Sequence, residues 1–253
     1  MRVLRVCALY PDLMNIYADR GNLLVLERRC AWRGLGFELT ACGLGEPLDG
    51  AGGHDLFYLG GGQDRDQRLC AEDLVRLKRD GLLAAAARGA VVLGVCGGYQ
   101  LLGRSYELGP GEELQGVGLL DVRTVREQGP RLIGNVAIEI MAADSDSAQN
   151  PADGGRVLAG FENHGGRTYL GSDQQPLGRV LKGYGNDGSS GLEGARSGNV
   201  IGTYLHGPLL PKNVWFADWL IATALGVELA ELGPLDDALE VQAHRDARRV
   251  AGL

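Results

Sequence analysis

"LGVCGGYQLLG", residues 93–103, sets a cysteine and a tyrosine in a stretch otherwise made of glycine and aliphatic residues, with one glutamine. The run before it, GAVVLGV at 89–95, has the length and aliphatic content of a short buried strand. Tyr99-Gln100-Leu101-Leu102 after it reads as the first turn of a helix. Cys96 then falls on a tight strand-to-helix turn that projects its side chain forward, while Gly94, Gly97 and Gly98 keep Cβ atoms out of the bend. Most unpaired cysteines are small buried hydrophobes, and the local pattern leaves that plainer reading open beside a nucleophile.

Working outward, strands and helices alternate. Strands are predicted at Val3–Leu9, 37–40, 55–59 and Val91–Val95, with helical patterns at 21–32 and 70–87 between them. Such alternation predicts parallel βαβ units covered by helices on both faces, an α/β three-layer sandwich around a mostly parallel sheet. From about Val117 the texture changes: 136–140, 160–163, 180–182 and 200–205 read as short strands of an antiparallel or mixed edge. The polar, glycine-rich segments 143–155 and 184–199 read as loops and not linkers, because strand patterns resume after each. Two helices, 212–225 and about 235–251, close the chain. The expectation is a single domain over 1–253, its core at about 3–210 and its C-terminal helices at about 211–253.

Composition narrows the classes of function. The chain has 253 residues, 45% hydrophobic and 23% charged, ordinary values for a soluble globular protein with a substantial core. Its net charge of −7 argues against a nucleic-acid surface and against docking on anionic lipid. The most apolar run, 81–87, is cut by Arg88 and falls short of the ~18–20 residues that span a bilayer, so no membrane insertion is expected. Five cysteines, at 7, 30, 42, 70 and 96, are an odd number without CxxC spacing. That excludes a disulfide framework and a zinc site as readings, leaves no metal to expect, and fits a reducing cytoplasm.

In open α/β sheets, ligands sit beyond the carboxyl ends of the strands. Two glycine turns lie there, GGGQD at 60–64 and the turn around Cys96. The first lacks the GxxxxGK[ST] spacing of a phosphate loop and the GxGxxG of a dinucleotide fingerprint. A pair of such turns beside a cysteine suits acyl transfer better: one presents a thiolate, while N–H groups of Gly97 and of Gly61 or Gly62 stabilise an oxyanion. A thiolate nucleophile needs a base. Of four histidines, His54 precedes a strand and His244 lies among charged residues of a helix face. His206 ends a strand and is followed by Gly207-Pro208, which places it at a carboxyl end as well; His164, in FENHGGR, is its competitor. A Cys–His pair lowers the thiol pKa and supplies a proton to the leaving amine.

The segment GVCGGYQ at 94–100 fits the G-x-C-x-G-x-Q nucleophile elbow of class I glutamine amidotransferases, and GTYLHG at 202–207 resembles the histidine segment of their cobyric-acid-synthase-like branch. "YPDLMNIYADRGN", "YLGGGQDRDQ", "RLIGN", "FENHGGRTYL", "GYGN" and "GTYLHGPLLPKN" are together similar to the glutaminase subunits of lipid II isoglutaminyl synthases, from residue 10 to residue 213. The resemblance implies hydrolysis of L-glutamine to glutamate and ammonia. A Mur-ligase-like partner, carrying ATP and Mg, then amidates the D-glutamate α-carboxyl of the lipid II stem peptide. Carried over by position, Cys96 is the nucleophile, His206 the general acid/base, and Arg131 a contact of the substrate glutamine. A guanidinium suits the free α-carboxylate, although a plain surface charge is the alternative. Gln100 is implied to orient substrate or the elbow. Gly61, Gly62 and Gly97 are oxyanion candidates. Asn163, His164 and Arg167 of the FENHGGR block are left outside the catalytic set.

One position departs from the family pattern: many class I enzymes carry a glutamate two residues after the histidine, where this chain has Pro208. The third carboxylate then comes from elsewhere in the chain, is absent, or is supplied by the partner. Two rivals stand beside this reading: an amidotransferase for cobyric acid-type amidation, and a noncatalytic redox sensor in which Cys96 is oxidised. The expectation that decides among them is geometric, with Cys96 and His206 facing one hollow at the top of the sheet.

Overall fold

The structure, a computed structural model, describes residues 2–16, 19–48, 53–141 and 156–253. Its first half is β1 (Val3–Leu9), α1 (Arg20–Trp32), β2 (Gly36–Cys42), β3 (Leu56–Leu59), α2 (Asp64–Asp73), a π-helical turn over Leu74–Lys78, α3 (Arg79–Ala87), β4 (Val91–Val95) and α4 (Gly97–Leu102). There follow β5 (Ser105–Gly109), β6 (Glu112–Gln115), β7 (Val122–Arg126), β8 (Leu132–Ile140), β9 (Val157–His164), β10 (Gly166–Leu170), β11 (Gly178–Lys182), β12 (Leu192–Glu193), β13 (Ala195–Ser197) and β14 (Val200–Thr203). The chain closes with α5 (Leu209–Lys212), α6 (Val214–Leu225), a 3₁₀ turn over Leu229–Leu232 and α7 (Ala238–Ala251).

The central sheet has the order β13-β14-β4-β3-β1-β2, parallel throughout except for the β13–β14 pair at one edge. β3 and β4 are buried at every residue, as strands covered on both faces must be, and for that reason they read as continuous apolar runs. α6 packs on β1 and β4 and α4 on β4 and β14. The α/β architecture with a strand-to-helix elbow is therefore present.

The second half corrects the sequence reading. Val136, Gly160 and Val180 belong to strands of a separate antiparallel sheet, β12-β11-β8-β9, and not to an edge of the central one. A third sheet, β10-β7-β5-β6, is built from strands that went unpredicted. The segment 184–199 is not all loop: it holds β12 and β13. The loop expected at 143–155 lies outside the described residues. α2 starts at Asp64, six residues before the apolar pattern begins, and the helix expected at 212–225 is α6, preceded by the short α5 that was not expected. Asn213 makes the break, its amide bonding the Ala159 N–H and carbonyl at 2.9 and 2.8 Å and the Leu209 carbonyl at 2.8 Å. That side chain ties the joint to β9 at the cost of helical geometry.

α1 is fastened to the C-terminal helices by a buried ionic cluster. The Arg29 guanidinium, 1% exposed, donates to both oxygens of Asp218 at 2.5 and 2.7 Å and to both oxygens of Asp237 at 2.8 Å. Arg33 grips the same Asp218 carboxylate at 2.9 and 2.6 Å.

Candidate active site

The site begins where β4 runs out. Cys96 has φ +53° and ψ −108°, a left-handed-side backbone that a residue with a Cβ rarely adopts. Two strand ends and a helix start meet there. The Cys96 N–H donates to the Thr203 carbonyl of β14 at 2.8 Å, and the Gly98 N–H donates to the Gly60 carbonyl at 3.0 Å. The elbow leaves no room for side chains. A Cβ at Gly98 would fall on the Leu59 carbonyl, and one at Gly97 would stand 2.7 Å from Gln67 Nε2 and 2.9 Å from the Gly62 nitrogen.

Cys96 opens into a cavity of about 380 Å³ that is also walled by Gly62, Gln67, Gln100, Tyr106, Arg131 and His164. Such a volume is that of a small-molecule site. Arg131 precedes β8 and is held by Asn163 of the neighbouring β9, Nε to the side-chain oxygen and Nη2 to the carbonyl, both at 2.8 Å. Gln100, on α4, donates to the Tyr204 hydroxyl at 3.1 Å, and that hydroxyl meets Thr168 Oγ1 at 2.6 Å. Its place is thus fixed from three elements.

The two histidines take different positions. His164 ends β9, lines the cavity, stacks on the Tyr204 ring with centroids 3.6 Å apart, and bonds the Gly166 carbonyl through Nδ1 at 2.8 Å. Its Nε2 lies 3.7 Å from Glu162, whose carboxylate also accepts the N–H groups of Tyr184 at 2.6 Å and Gly185 at 2.9 Å. His206 follows β14 three residues after Thr203, so it leaves the sheet beside the elbow. It is fully buried, pinned by reciprocal backbone bonds with Phe161 at 2.9 and 3.0 Å and set edge-on to the Phe161 ring. It is not among the described residues that line the cavity. It lies within electrostatic reach of His164, Lys212 and Arg131.

The glycines divide as well. Gly97 donates toward the Cys96 sulfur. The Gly61 N–H is taken by Asp19 Oδ2 at 2.7 Å, whereas the Gly62 N–H makes no hydrogen bond among the described residues. Gly97 thus already faces the sulfur; among the described residues Gly62 keeps an uncommitted donor on the turn beside Gly97, and Gly61 does not.

The electrostatics describe a resting site. Burial, and then the charge of Asp19, push the Cys96 thiol up to about 12, against smaller lowering by the Gly97 N–H and Arg131. Burial first, and then the neighbouring His164, Lys212 and Arg131 groups, bring His206 down to about 4. A thiol so raised and an imidazole so lowered are both neutral near pH 7.

Among the residues that sequence reasoning missed, Asp19 sits inside the YADRGN block, Gln67 inside GGGQDRDQ, and Glu162 inside FENHGGR. Glu193, fully buried, accepts the Tyr204 N–H at 2.6 Å and the Thr203 hydroxyl at 3.0 Å, and so sets the strand end that leads to His206. Its burial pushes the carboxyl up to about 8. No local pattern marks it. Among the described residues no group of three or more metal-ligating side chains occurs, and no helix is long and apolar enough to cross a membrane.

Residues 5–214 match the CobB/CobQ-like glutamine amidotransferase domain. The chain is 36% identical over 245 residues to a Staphylococcus aureus protein named as the GatD subunit of lipid II isoglutaminyl synthase (glutamine-hydrolyzing), covering 96% of this chain and 94% of that one. A probable cobyric acid synthase of Methanopyrus kandleri is 42% identical over 152 residues, but the match covers 55% of this chain and only 29% of that one. In fold, the chain resembles the structure of PurLQS from Thermotoga maritima, with a TM-score of 0.59 at 23% identity over 97% of this chain and 99% of that one.

Proposed function

The chain belongs to the CobB/CobQ-like glutamine amidotransferase family, and from that membership we propose that it hydrolyses L-glutamine at Cys96 and supplies the ammonia for amidation of lipid II. The observation that carries the reading is Cys96 itself, held at φ +53° on the elbow and opening into the cavity that Arg131 and Gln100 line. A glycine or a buried spectator would not need that backbone. Of the two amidation chemistries among the relatives, the lipid II one is favoured because the likeness to the Staphylococcus aureus subunit extends over 94% of that protein, against 29% of the cobyric acid synthase.

In the proposed reaction the sulfur attacks the side-chain amide carbon of glutamine, forming a C–S bond and a tetrahedral oxyanion. The N–H groups of Gly97 and Gly62 face that oxygen. The proton lost by the thiol passes through His206 to the leaving nitrogen, the C–N bond breaks, and ammonia departs. Water then hydrolyses the thioester, releasing glutamate and returning the thiol. Arg131 keeps Nη1 for the substrate α-carboxylate while Asn163 holds its other nitrogens. The acceptor is activated elsewhere: a Mur-ligase-like partner with ATP and Mg phosphorylates the D-glutamate α-carboxyl in the cytoplasm, and ammonia reaches it by a sheltered route.

The neutral resting pair makes the subunit slow by itself. A partner that brings negative charge toward His206, where the sequence has Pro208 in place of the family's glutamate, raises the imidazole's affinity for the proton and couples hydrolysis to complex formation. The test is the rate of glutamate release by the chain with and without its ATP-dependent partner. At least a tenfold increase on adding the partner is expected, and an isolated chain already at full rate removes the coupling.

A second measurement reads the thiol directly. Because the Cys96 pKa is raised, thiolate is the minor form at neutral pH. Alkylation of Cys96 by iodoacetamide in the isolated chain should then climb about tenfold per pH unit from pH 7 to 9 without levelling, since only the thiolate reacts. A plateau below pH 8, corrected with a Cys96→Ser background, would contradict the raised thiol.

A further inference from the structure

The glycine turn beside Cys96 is gripped by a residue that the reaction above leaves unused. Asp19 stands at the N-cap of α1, where a carboxylate ordinarily accepts the helix's own N–H groups. It makes no side-chain cap bond there. Oδ2 instead crosses 42 residues to accept the Gly61 N–H at 2.7 Å. The side chain is 1% exposed, and its buried Oδ1 has no partner among the described residues. An unpaired buried carboxylate oxygen is costly to the fold, and burial pushes the carboxyl up to about 7. A residue kept for stability alone would turn back and cap its helix.

What the grip does follows from the geometry of a peptide. The C=O and N–H of one trans peptide point in opposite directions. The Ile16 N–H holds the Gly61 carbonyl at 3.2 Å, so the N–H on the other side of that peptide, which belongs to Gly62, is turned away from Ile16. Gln67 Nε2 holds the Gly62 carbonyl at 3.1 Å. The Gly62 nitrogen ends 2.9 Å from the place a Gly97 Cβ would occupy, on the Cys96 side of the turn. The Gly60–Gly61 peptide is clamped at both ends, its carbonyl by the Gly98 N–H at 3.0 Å and its N–H by Asp19, which is the side-chain half of that clamp.

We propose that Asp19 is a positioning residue for the reaction at Cys96: by holding the Gly61 N–H it fixes the turn so that the Gly62 N–H is presented, beside that of Gly97, to the oxyanion. The proposal rests on Cys96 being the nucleophile of glutamine hydrolysis. The turn that Asp19 holds is closely packed, since a Cβ at 60–62 would strike Met14 or Ile16.

The experiment compares Asp19→Ala and Asp19→Asn in the full chain assayed with its partner. It reads kcat and KM for glutamine, the thermal midpoint, and the pH dependence of Cys96 alkylation. Losing the orientation of one oxyanion donor should lower kcat about 100-fold in Asp19→Ala with KM within about threefold. Asp19→Asn still offers Gly61 an acceptor oxygen and should restore kcat to within about fivefold of the wild type. In both variants alkylation should move to lower pH, because the negative charge beside the sulfur is gone. The proposal is overturned if Asp19→Ala keeps kcat within twofold, or if both variants lose activity equally in step with a lowered thermal midpoint. Should the wild-type chain with its partner release no glutamate, the glutaminase reading fails, and alkylation alone decides whether Asp19 acts on residue 96. An unchanged pH dependence in Asp19→Asn then refutes it.

Discussion

Cys96→Ser should abolish glutamine hydrolysis, with a loss of about 10⁴-fold or more in kcat, the scale seen when a covalent nucleophile is removed. Serine keeps the size and the elbow, so the fold and the cavity persist; what is lost is a nucleophile that ionises within reach of biological pH. His206→Ala should be of similar severity, and the double variant should be little worse than either single one, because nucleophile and acid/base act as a unit. His164→Ala separates the two histidines. His164 lines the cavity and His206 is not among its described lining residues, so His164 is the competing base. If His164→Ala alone is dead and His206→Ala keeps turnover, the proton path runs through His164 and the assignment above is wrong. The same series bears on the redox-sensor rival. A sensor has no leaving amine to protonate and keeps its response in His206→Ala. Labelling of Cys96 by a glutamine-analogue diazo-ketone, protected by glutamine, belongs to the enzyme alone.

The second large effect is on stability. Arg29→Ala removes the guanidinium that four carboxylate oxygens share. Arg33 remains on Asp218, but Asp237 loses both of its bonds to Arg29. Breaking a buried ion cluster from one side costs about 3–5 kcal/mol; Arg33 still compensates Asp218, and the half-buried Asp237 regains some water, which favours the lower end. For a chain of this size that corresponds to roughly 6–20 °C in Tm. The denaturation midpoint in urea should fall while the m value holds. A loss below about 1 kcal/mol would mean that the C-terminal helices are fastened by apolar contacts and that the cluster is dispensable. Arg29→Lys should recover little, because one ammonium cannot reproduce a fork that faces two carboxylates.

Most of the central sheet was legible in the sequence because its strands are buried on both faces: β3 and β4 read as unbroken apolar runs, and the glycines around Cys96 betray the elbow. The antiparallel sheets were less so. β5, β6, β7 and β10 are four or five residues long; β7 and β10 mix buried and exposed positions, β6 has no buried residue, and β5 alternates only between buried and half-buried, so neither strict alternation nor an apolar run marks them. β12 and β13 have two and three residues and exist only through their partners. The start of α2 was hidden because DRDQR carries no apolar face. Within the site, Cys96 was legible through type and spacing, and Arg131 and Gln100 only through the family resemblance; the structure gathers the three in one cavity. Asp19, Glu162 and Glu193 were not, since a carboxylate in sequence looks like surface until its burial and its distant backbone partners are known. His206 was legible by its place after a strand, while the ring of Phe161 that covers it was not.

The elbow carries a consequence for the chain's descent. A left-handed-side backbone penalises every residue but glycine by about 1–3 kcal/mol, and Cys96 bears that penalty at φ +53°. Once ammonia release is no longer selected, glycine at this position relieves the bend at the loss of only one small buried side chain. Cysteine at the bend is a standing burden that only turnover repays, and a cousin that carries glycine there on an intact framework has retired from chemistry.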